Sequence, residues 1–278
     1  MRPDGPELSP VAEKKRPTVI KIGGSTLGHL DTTLEDLVAL QRRGDLPVVV
    51  HGGGATISEW MQRQGIMPRF IRGLRVTDAP SLQIVVSVLT GLVNKQLVAA
   101  VNALGGRAVG LSGVDGAMLE ARVVDPELGY VGEVVRVNPE PVVELMEAGY
   151  IPLVAPVGID QAGGSDDSLG MLNINGDTAA GHLAWALEAD RLVFLTDVEG
   201  VLDSSRRVVP RLTVHDAHAL LASGVASDGM IPKLEACVQA LERVSVAHIV
   251  DGRVQGALLN AMEGGEGGTR LEREQQKR

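Results

Sequence analysis

The sequence predicts an α/β protein, a three-layer αβα sandwich built on a mainly parallel central sheet. Apolar runs of strand length, such as "PVVVHGGG", "IPLVAPVG" and "DRLVFLTDV", alternate with longer segments of helical period, such as "LVNKQLVAAVNAL". This alternation is typical of crossover helices that cover both faces of a parallel sheet. With 278 residues, of which 44% are hydrophobic, the chain is long enough to bury a substantial core.

Domain boundaries follow from changes in composition. Residues 1–17 carry four prolines among charged residues, which predicts a flexible leader. The first strand is expected at residue 18 and opens an N-terminal lobe over residues 18–172. Residues 173–271 are expected to form a C-terminal lobe that ends in a short strand at "TRL", and residues 272–278 a frayed tail.

Two segments depart from the regular alternation of strands and helices. Short β-like runs lie close together at 68–77 and again at 118–137, which predicts hairpins that project from the sheet. The acidic, glycine-rich stretch 160–170 predicts a flexible loop. A helix is expected after it, from near Asp177 to about Glu188.

Composition argues against several classes of partner. The net charge is −9 and the chain has only two each of Phe, Tyr and Trp, so nucleic acid is not expected to bind. Cys237 is the only cysteine, which rules out an intrachain disulfide. We find no signal-peptide pattern at the N-terminus and expect no apolar stretch near the roughly 18 residues that span a bilayer. The expectation is a cytoplasmic protein without a membrane partner.

A lysine interrupts the apolar run of the first predicted strand, "TVIKIGGST". Burying an unpaired ammonium group is unfavourable, so Lys21 must find an anionic partner or extend beyond the end of the sheet. Gly23 and Gly24 follow, and glycines allow backbone N–H groups to approach a bound phosphate closely. The sequence therefore predicts an anion near the end of this strand.

Two further glycine turns resemble this one. "HGGGA" and "GLSGVDG" each follow a predicted strand, and ligands of open parallel sheets collect where strands end and helices begin. "LTDVEGVLD" ends a strand with a carboxylate and a glycine turn, which is also explained as a turn alone. Glycine is also common in ordinary α/β turns, so a single turn would be weak support. The absence of GxxxxGK[ST], and of GxGxxG after a strand, argues against a Walker loop and a Rossmann dinucleotide site.

Five side chains are candidates for chemistry. Arg75 is positioned to hold a carboxylate, although an isolated arginine is more often a surface residue. Asn173 and Asp177 frame a helix start, where N-capping is the simplest explanation. Lys233 lies in the first turn of a helix, against the macrodipole, which favours an anion in front of it. His51 precedes a glycine turn, and a structural role is commoner there than catalysis.

Taken in order and spacing, these segments resemble the amino acid kinase family. The resemblance covers Val19 to Leu271 and rests on eight motifs: "KIGG", "VHGGG", "GLRVTD", "NKQLV", "VGLSGVDG", "NINGD", "LTDVEGVLD" and "DGMIPK". It implies a carbamate kinase-like fold and, for the branch most similar in these motifs, ATP-dependent phosphorylation of the side-chain carboxylate of N-acetyl-L-glutamate in arginine biosynthesis. It further implies that the N-terminal lobe binds this substrate and forms a homodimer, and that the C-terminal lobe binds ATP.

The resemblance also assigns roles to individual residues. It implies that Lys21 and Lys233 stabilise the transferred phosphoryl group and that Asp177 orients both lysines. The implied substrate contacts are Gly53, Gly54, Arg75 and Asn173. The implied phosphate and nucleotide contacts are Gly23, Gly24, Asp197, Val198, Glu199, Gly200, Val201, Leu202, Val225, Ala226 and Ser227. Mg²⁺ would be held by the nucleotide phosphates, so no protein metal ligand is expected.

Two alternatives remain open from the sequence. A kinase of the same fold that acts on aminoadipate or glutamate attached to a small carrier protein would need the same lysines. A regulator that only binds a nucleotide or amino acid would not need both lysines together with Asp177. Arginine-inhibited relatives carry an extra helix ahead of the first strand. In this sequence fewer than twenty residues precede the first predicted strand. We therefore expect a homodimer whose activity is insensitive to arginine.

Overall fold

The computed structural model describes residues 15–23, 32–163, 170–224, 226 and 229–274. The described strands are, in chain order, β1 (Thr18–Ile22), β2 (Pro47–His51), β3 (Phe70–Ile71), β4 (Leu74–Arg75), β5 (Ala108–Ser112), β6 (Leu119–Val123), β7 (Val131–Val137), β8 (Ile151–Ala155), β9 (Val157–Asp160), β10 (Met171–Ile174), β11 (Arg191–Thr196), β12 (Arg211–Thr213), β13 (Val246–Asp251) and β14 (Thr269–Glu272).

Helices connect most of these strands. The described α-helices are α1 (Thr33–Arg42), α2 (Gly54–Arg63), α3 (Ala79–Val86), α4 (Asn94–Ala103), α5 (Glu140–Glu147), α6 (Gly176–Ala186), α7 (Val214–Ser223), α8 (Ile231–Ala240) and α9 (Ala257–Glu263). A π-helical segment, Ser87–Val93, joins α3 to α4 without a break.

The central sheet has the strand order β12-β14-β13-β11-β1-β2-β8-β5 in the described part of the chain. Its strand pairs are parallel, apart from the antiparallel pair β13–β14. Two hydrophobic clusters cover its faces, one with residues of α5, α6, α7 and α8, the other with residues of α1, α2, α3, α4 and α9. The predicted αβα sandwich with a mainly parallel sheet is confirmed.

Strands outside this sheet form two smaller units. The strands β6, β7, β9 and β10 close into a small barrel, and β3 and β4 form a two-stranded hairpin. The hairpins predicted at 68–77 and 118–137 are confirmed as β3–β4 and β6–β7. The run "IPLVAPVG" is not one strand, because it divides at Pro156 into β8 of the central sheet and β9 of the barrel.

The predicted leader and loop lie largely outside the described residues. Residues 1–14, 164–169 and 275–278 are not described, whereas Arg16 is anchored. Its guanidinium donates hydrogen bonds to the carbonyl oxygens of Ala189 (3.1 Å) and Arg243 (2.7 Å), in the turns after α6 and α8. Residue 16, which the sequence assigned to a flexible leader, is therefore held against the fold, and the division into two lobes stays a prediction.

One helix corrects an expectation about apolar segments. The continuous helix Ala79–Ala103 is long and apolar enough, by length and composition alone, to cross a membrane. Core helices of soluble proteins pass the same test, and side chains such as Leu82, Val85, Leu89 and Val101 of this helix are buried. The expectation that no apolar stretch approaches a spanning length was wrong, because the apolar positions continue through the π-helical segment.

Candidate active site

The candidate site begins with Lys21 on the central strand β1. Successive side chains of a strand point to opposite faces of the sheet. Ile20 and Ile22 pack in the cluster beside α1, and Val19 packs in the cluster beside α6. Lys21 therefore lies on the α6 face, near the carboxyl end of its strand, where its side chain is 11% exposed.

The start of α6 places a carboxylate opposite this lysine. Asn175 is the N-cap, and its side-chain oxygen accepts hydrogen bonds from the backbone N–H groups of Asp177 (2.8 Å) and Thr178 (3.1 Å). The cap is thus neither of the two residues that the sequence suggested, because Asn173 is still part of β10 and Asp177 lies within the first turn of α6. Since Asn175 serves as the cap, the carboxylate of Asp177 is available for other partners.

Asp177 joins the two lysines that the sequence had singled out. Lys21 Nζ lies 2.7 Å from Oδ1 in an ion pair without hydrogen-bond alignment, and Lys233 Nζ donates a hydrogen bond to Oδ2 at 2.9 Å. Burial alone would raise the pKa of Asp177, but the two ammonium groups outweigh it and hold the pKa below its ordinary value. The carboxylate is therefore ionised and carries one negative charge between two positive charges.

Lys233 reaches this carboxylate from the first turn of α8. Its ammonium group also donates to the carbonyl oxygen of Gly229 at 3.0 Å, and its side chain is 12% exposed. A cation at a helix N-terminus is unfavourable by itself. The position of Lys233 is explained by the neighbouring carboxylate of Asp177, which is the anion that the sequence argument expected in front of this lysine.

A cavity of about 180 Å³ opens beside this cluster. It lies where β1, β2 and β10 end and where α2 and α6 begin. The residues around it include six that the sequence had predicted for the site: Lys21, Gly53, Gly54, Arg75, Asn173 and Asp177. Ile57, Phe70, Leu74, Leu89, Val131 and Ile174 give the same cavity an apolar side.

Arg75 lies on β4 and is only 8% exposed, so it is not a surface residue. It donates hydrogen bonds to the carbonyl oxygen of Gly54 (2.9 Å) and to Ser58 Oγ (2.9 Å), and it contacts Met61 Sδ at 3.2 Å. Its guanidinium lies over the ring of Phe70, 4.7 Å from the centroid. These contacts leave two of its five N–H groups without a protein partner in the described residues, which suits an anionic ligand.

The glycines after β2 expose the beginning of α2. Gly53 is the N-cap, and no side chain of the described residues caps this helix. A Cβ atom on Gly53 would lie 2.7 Å from Leu89 Cδ2, whereas a Cβ atom on Gly54 would meet open space. Uncapped N–H groups at a helix N-terminus favour a negative charge.

His51 contacts the backbone of this turn at Gly52 and does not line the cavity. It is fully buried, Asn94 Nδ2 donates to its Nε2 (3.1 Å), and its Nδ1 lies 3.0 Å from the carbonyl oxygen of Gly52. An amide NH₂ group can only donate, so Nε2 is the acceptor and Nδ1 carries the proton. Burial is the main cause that lowers the pKa of His51 to about 4. The neutral ring therefore has the structural role that the sequence favoured.

A second cavity, of about 110 Å³, lies in the C-terminal half of the chain. It is lined by residues from two predicted nucleotide segments and from neighbouring helices: Val198, Gly200, Val201, Leu202, Leu220, Ala226 and Met230. Met230 lies at the N-cap of α8, three residues before Lys233. One helix start thus contacts the second cavity through Met230 and the Lys21–Asp177 cluster through Lys233.

The remaining predicted residues are placed differently. The N–H of Gly23 donates to the carbonyl oxygen of Leu195 at 3.0 Å, so this amide continues the sheet and is not free for an anion. Asp197 lies directly after β11, beside Thr196. Glu199, between Val198 and Gly200, lines a third cavity together with Asp251 and Glu266. Gly24, Val225 and Ser227 lie outside the described residues.

Three residues of the site have no signal in the sequence that singles them out. Ser58 binds Arg75, Asn175 caps α6, and the buried hydroxyl of Thr77 accepts a hydrogen bond from Asn173 Nδ2 at 3.1 Å. "GLRVTD" and "NINGD" do contain Thr77 and Asn175, but the partners of these side chains depend on the fold. Among the described residues, no group of three or more His, Cys, Asp and Glu side chains is arranged to hold a metal ion.

A parallel αβα sheet that gathers lysines and helix N-termini at one edge is an architecture suited to phosphate ligands. The chain belongs to the amino acid kinase family, whose sequence profile matches residues 16–251. It is 44% identical over 251 residues to the acetylglutamate kinase of Dehalococcoides mccartyi, and the alignment covers 90% of this chain and 92% of that protein. The resemblance found in the motifs is thereby confirmed.

Solved structures agree with this assignment. The smu.665 protein of Streptococcus mutans UA159 superposes with a TM-score of 0.80 at 31% identity, over 92% of this chain and 98% of that chain. Carbamate kinase of Giardia lamblia superposes with a TM-score of 0.65 at 14% identity, over 94% of this chain and 99% of that chain. The second comparison supports the carbamate kinase-like fold alone.

Proposed function

We propose that this protein transfers the γ-phosphoryl group of ATP to the side-chain carboxylate of N-acetyl-L-glutamate, giving N-acetyl-L-glutamyl 5-phosphate for arginine biosynthesis. The observation that carries the proposal is the cluster in which Asp177 holds Lys21 and Lys233 at the edge of a cavity. The relatives at 43–46% identity, which are acetylglutamate kinases, support the choice of substrate.

The cluster suits phosphoryl transfer because this reaction requires alignment and charge stabilisation more than covalent chemistry. Two ammonium groups held by one carboxylate keep a net positive charge. This charge stabilises the negative charge on the equatorial oxygens of the phosphoryl group in the transition state. Asp177 keeps both lysines in place while ligands enter and leave. We assign Lys21 and Lys233 to the transition state and Asp177 to their orientation.

The acceptor would bind in the 180 Å³ cavity. A carboxylate is ionised at neutral pH and attacks phosphorus directly, so the reaction needs no general base. The buried, neutral His51 fits this requirement, since it does not line the cavity. Arg75, with two unused N–H groups, is assigned to the other carboxylate of the substrate, and Gly53, Gly54 and Asn173 to further substrate contacts.

The nucleotide is assigned to the second cavity. Its apolar lining by Val198, Val201, Leu202 and Met230 suits the faces of an adenine ring. Asp197, Glu199, Gly200 and residues 225–227 complete the proposed nucleotide segments. Gly24 is assigned to the phosphate turn, where Gly23 would contribute only its lack of a side chain because its N–H donates within the sheet. Magnesium would arrive on the nucleotide phosphates, where it neutralises part of their charge.

The release of ADP tests the function against its alternatives. We expect ADP production with N-acetyl-L-glutamate and much less with glutamate or without an acceptor. Turnover only with glutamate or aminoadipate on a carrier protein would favour the carrier-linked kinase. Binding of ATP without turnover on any acceptor would favour a regulator and contradict the proposal.

We further propose a cytoplasmic homodimer formed through the N-terminal lobe, on the strength of the family resemblance. Light scattering of the purified protein should give a mass twice that of one chain. A monomer would contradict the dimer without affecting the assignment of the reaction.

A further inference from the structure

A buried hydroxyl connects two residues of the substrate cavity. Thr77 is fully buried, and its Oγ1 donates a hydrogen bond to the carbonyl oxygen of Arg75 at 2.9 Å. The same oxygen accepts a hydrogen bond from Asn173 Nδ2 at 3.1 Å, from 96 positions along the chain. Arg75 and Asn173 line the cavity, but Thr77 does not. Its hydroxyl can therefore act on a ligand only through its neighbours.

The directions of these hydrogen bonds follow from the chemistry of the groups. A backbone carbonyl can only accept, so the single hydroxyl proton of Thr77 is used at Arg75. Thr77 Oγ1 is then left with lone pairs only, and Asn173 must turn its NH₂ group towards it. The described residues provide no donor for Asn173 Oδ1, and Asn173 lines the cavity, so this oxygen remains available as a hydrogen-bond acceptor for a ligand.

The backbone around Thr77 is fixed on both sides. Its N–H donates to the carbonyl oxygen of Leu128 (2.8 Å), and its carbonyl oxygen accepts from the N–H of Tyr130 (2.7 Å). The carbonyl oxygen of Tyr130 in turn accepts from the N–H of Asn173 at 2.9 Å. A Cβ atom at Gly129, which has a φ of +69°, would overlap the Thr77 carbonyl. The hydroxyl is thus held at one point between β4 and β10.

We propose that Thr77 is a positioning residue that fixes the side-chain amide of Asn173 with its oxygen towards the substrate. This inference rests on the proposed function and refines it. A hydrogen-bond acceptor at this point selects a substrate that carries an N–H donor, such as the secondary amide of an N-acylated amino acid. A substrate analogue that keeps both carboxylates but has an ester oxygen in place of the amide N–H loses this hydrogen bond.

The test compares Thr77→Val, which keeps the shape and removes the hydroxyl, with Thr77→Ser, which keeps the hydroxyl. Each variant is assayed with N-acetyl-L-glutamate and with the ester analogue O-acetyl-L-2-hydroxyglutarate. We expect the unmodified protein to favour the amide by roughly tenfold to a hundredfold in kcat/KM. In Thr77→Val the KM for N-acetyl-L-glutamate should rise about fivefold or more and the preference should fall to within about threefold of unity. Thr77→Ser should restore both quantities.

Thr90→Val is the matched control. The Thr90 hydroxyl also donates to a backbone carbonyl, that of Val86 at 2.8 Å, but Thr90 does not line the cavity. Its KM values and its preference for the amide should stay unchanged. If Thr77→Val does not fold, Thr77→Cys replaces it, since a thiol of similar size is a weak hydrogen-bonding partner.

The outcomes separate this inference from the proposed function. A loss of kcat in Thr77→Val with an unchanged KM and an unchanged preference for the amide would mean a merely structural role and overturn the inference. Failure of Thr77→Ser to restore the preference would do the same. An unmodified protein without turnover on N-acetyl-L-glutamate would refute the proposed function, and this inference with it.

Discussion

Replacing Asp177 by asparagine removes one negative charge and leaves the shape of the side chain unchanged. The carboxylate oxygens lie 2.7 Å and 2.9 Å from two ammonium nitrogens, and the three side chains are 7%, 11% and 12% exposed. At an effective dielectric constant of about 20, each contact is worth roughly 6 kcal/mol before the cost of desolvation. Removing one partner of a buried ion pair costs about 3–5 kcal/mol, because the remaining charge stays buried without compensation.

We therefore expect Asp177→Asn to lower the free energy of unfolding by about 3–5 kcal/mol at neutral pH. Urea unfolding, followed by far-ultraviolet circular dichroism, measures this as a lower midpoint with an unchanged slope. The folded-state pKa of Asp177 is depressed, so this stability is present above its unfolded pKa of 3.8 and is lost as the pH falls below it. The difference in the free energy of unfolding between Asp177→Asn and the unmodified protein should become smaller in acid.

Glu59→Gln is the control for this experiment. Glu59 and Arg63 form an ion pair with side chains 57% and 62% exposed, so its loss should cost at most about 0.5 kcal/mol. If Asp177→Asn matched this control, the two lysines would not depend on the carboxylate and the electrostatic argument for the cluster would be refuted.

Three further predictions concern single side chains. Lys21→Ala or Lys233→Ala should lower kcat by about 10² to 10³ with a smaller change in ATP affinity, and near-normal turnover would contradict the mechanism. Lys15→Ala, at an exposed lysine that pairs with Asp45 and lies outside the cavity, is the control. Arg75→Ala should chiefly raise the KM for N-acetyl-L-glutamate, and an unchanged KM would place Arg75 outside the site. His51 has its pKa lowered from 6.5 to about 4, so it contributes roughly 3 kcal/mol of stability that is present above pH 6.5 and is lost as the pH falls towards 4. Unfolding of His51→Gln should depend less on pH in this window, and an equally steep dependence would refute the buried neutral ring.

The two lysines that the sequence identified share one property, which is conflict with their local setting. Lys21 is a charge within an apolar strand, and Lys233 is a cation at a helix N-terminus. Each conflict exists whatever the rest of the fold looks like, so it can be recognised without knowing the partner. The partner turned out to be the same carboxylate, Asp177, for both lysines.

Other features depend on contacts between distant parts of the chain. Thr77 and Asn173 are 96 positions apart, and no local pattern indicates that their side chains meet. In "NINGD" the pattern fits a cap at several positions, and only the end of β10 at Ile174 decides in favour of Asn175. The division of "IPLVAPVG" between sheet and barrel likewise depends on which strands lie alongside β8 and β9.

The position of β1 between β2 and β11 has a consequence for synthesis of the chain. One edge of β1 pairs with β2, which follows closely, but the other edge pairs with β11, which emerges about 170 residues later. At roughly 5–20 residues per second, that edge stays open for about 10 to 30 seconds on the ribosome. An apolar strand with a free edge attracts other chains, and a lysine on it discourages such pairing. An apolar residue in place of Lys21 should therefore increase aggregation of newly made protein, even where the finished fold tolerates the change.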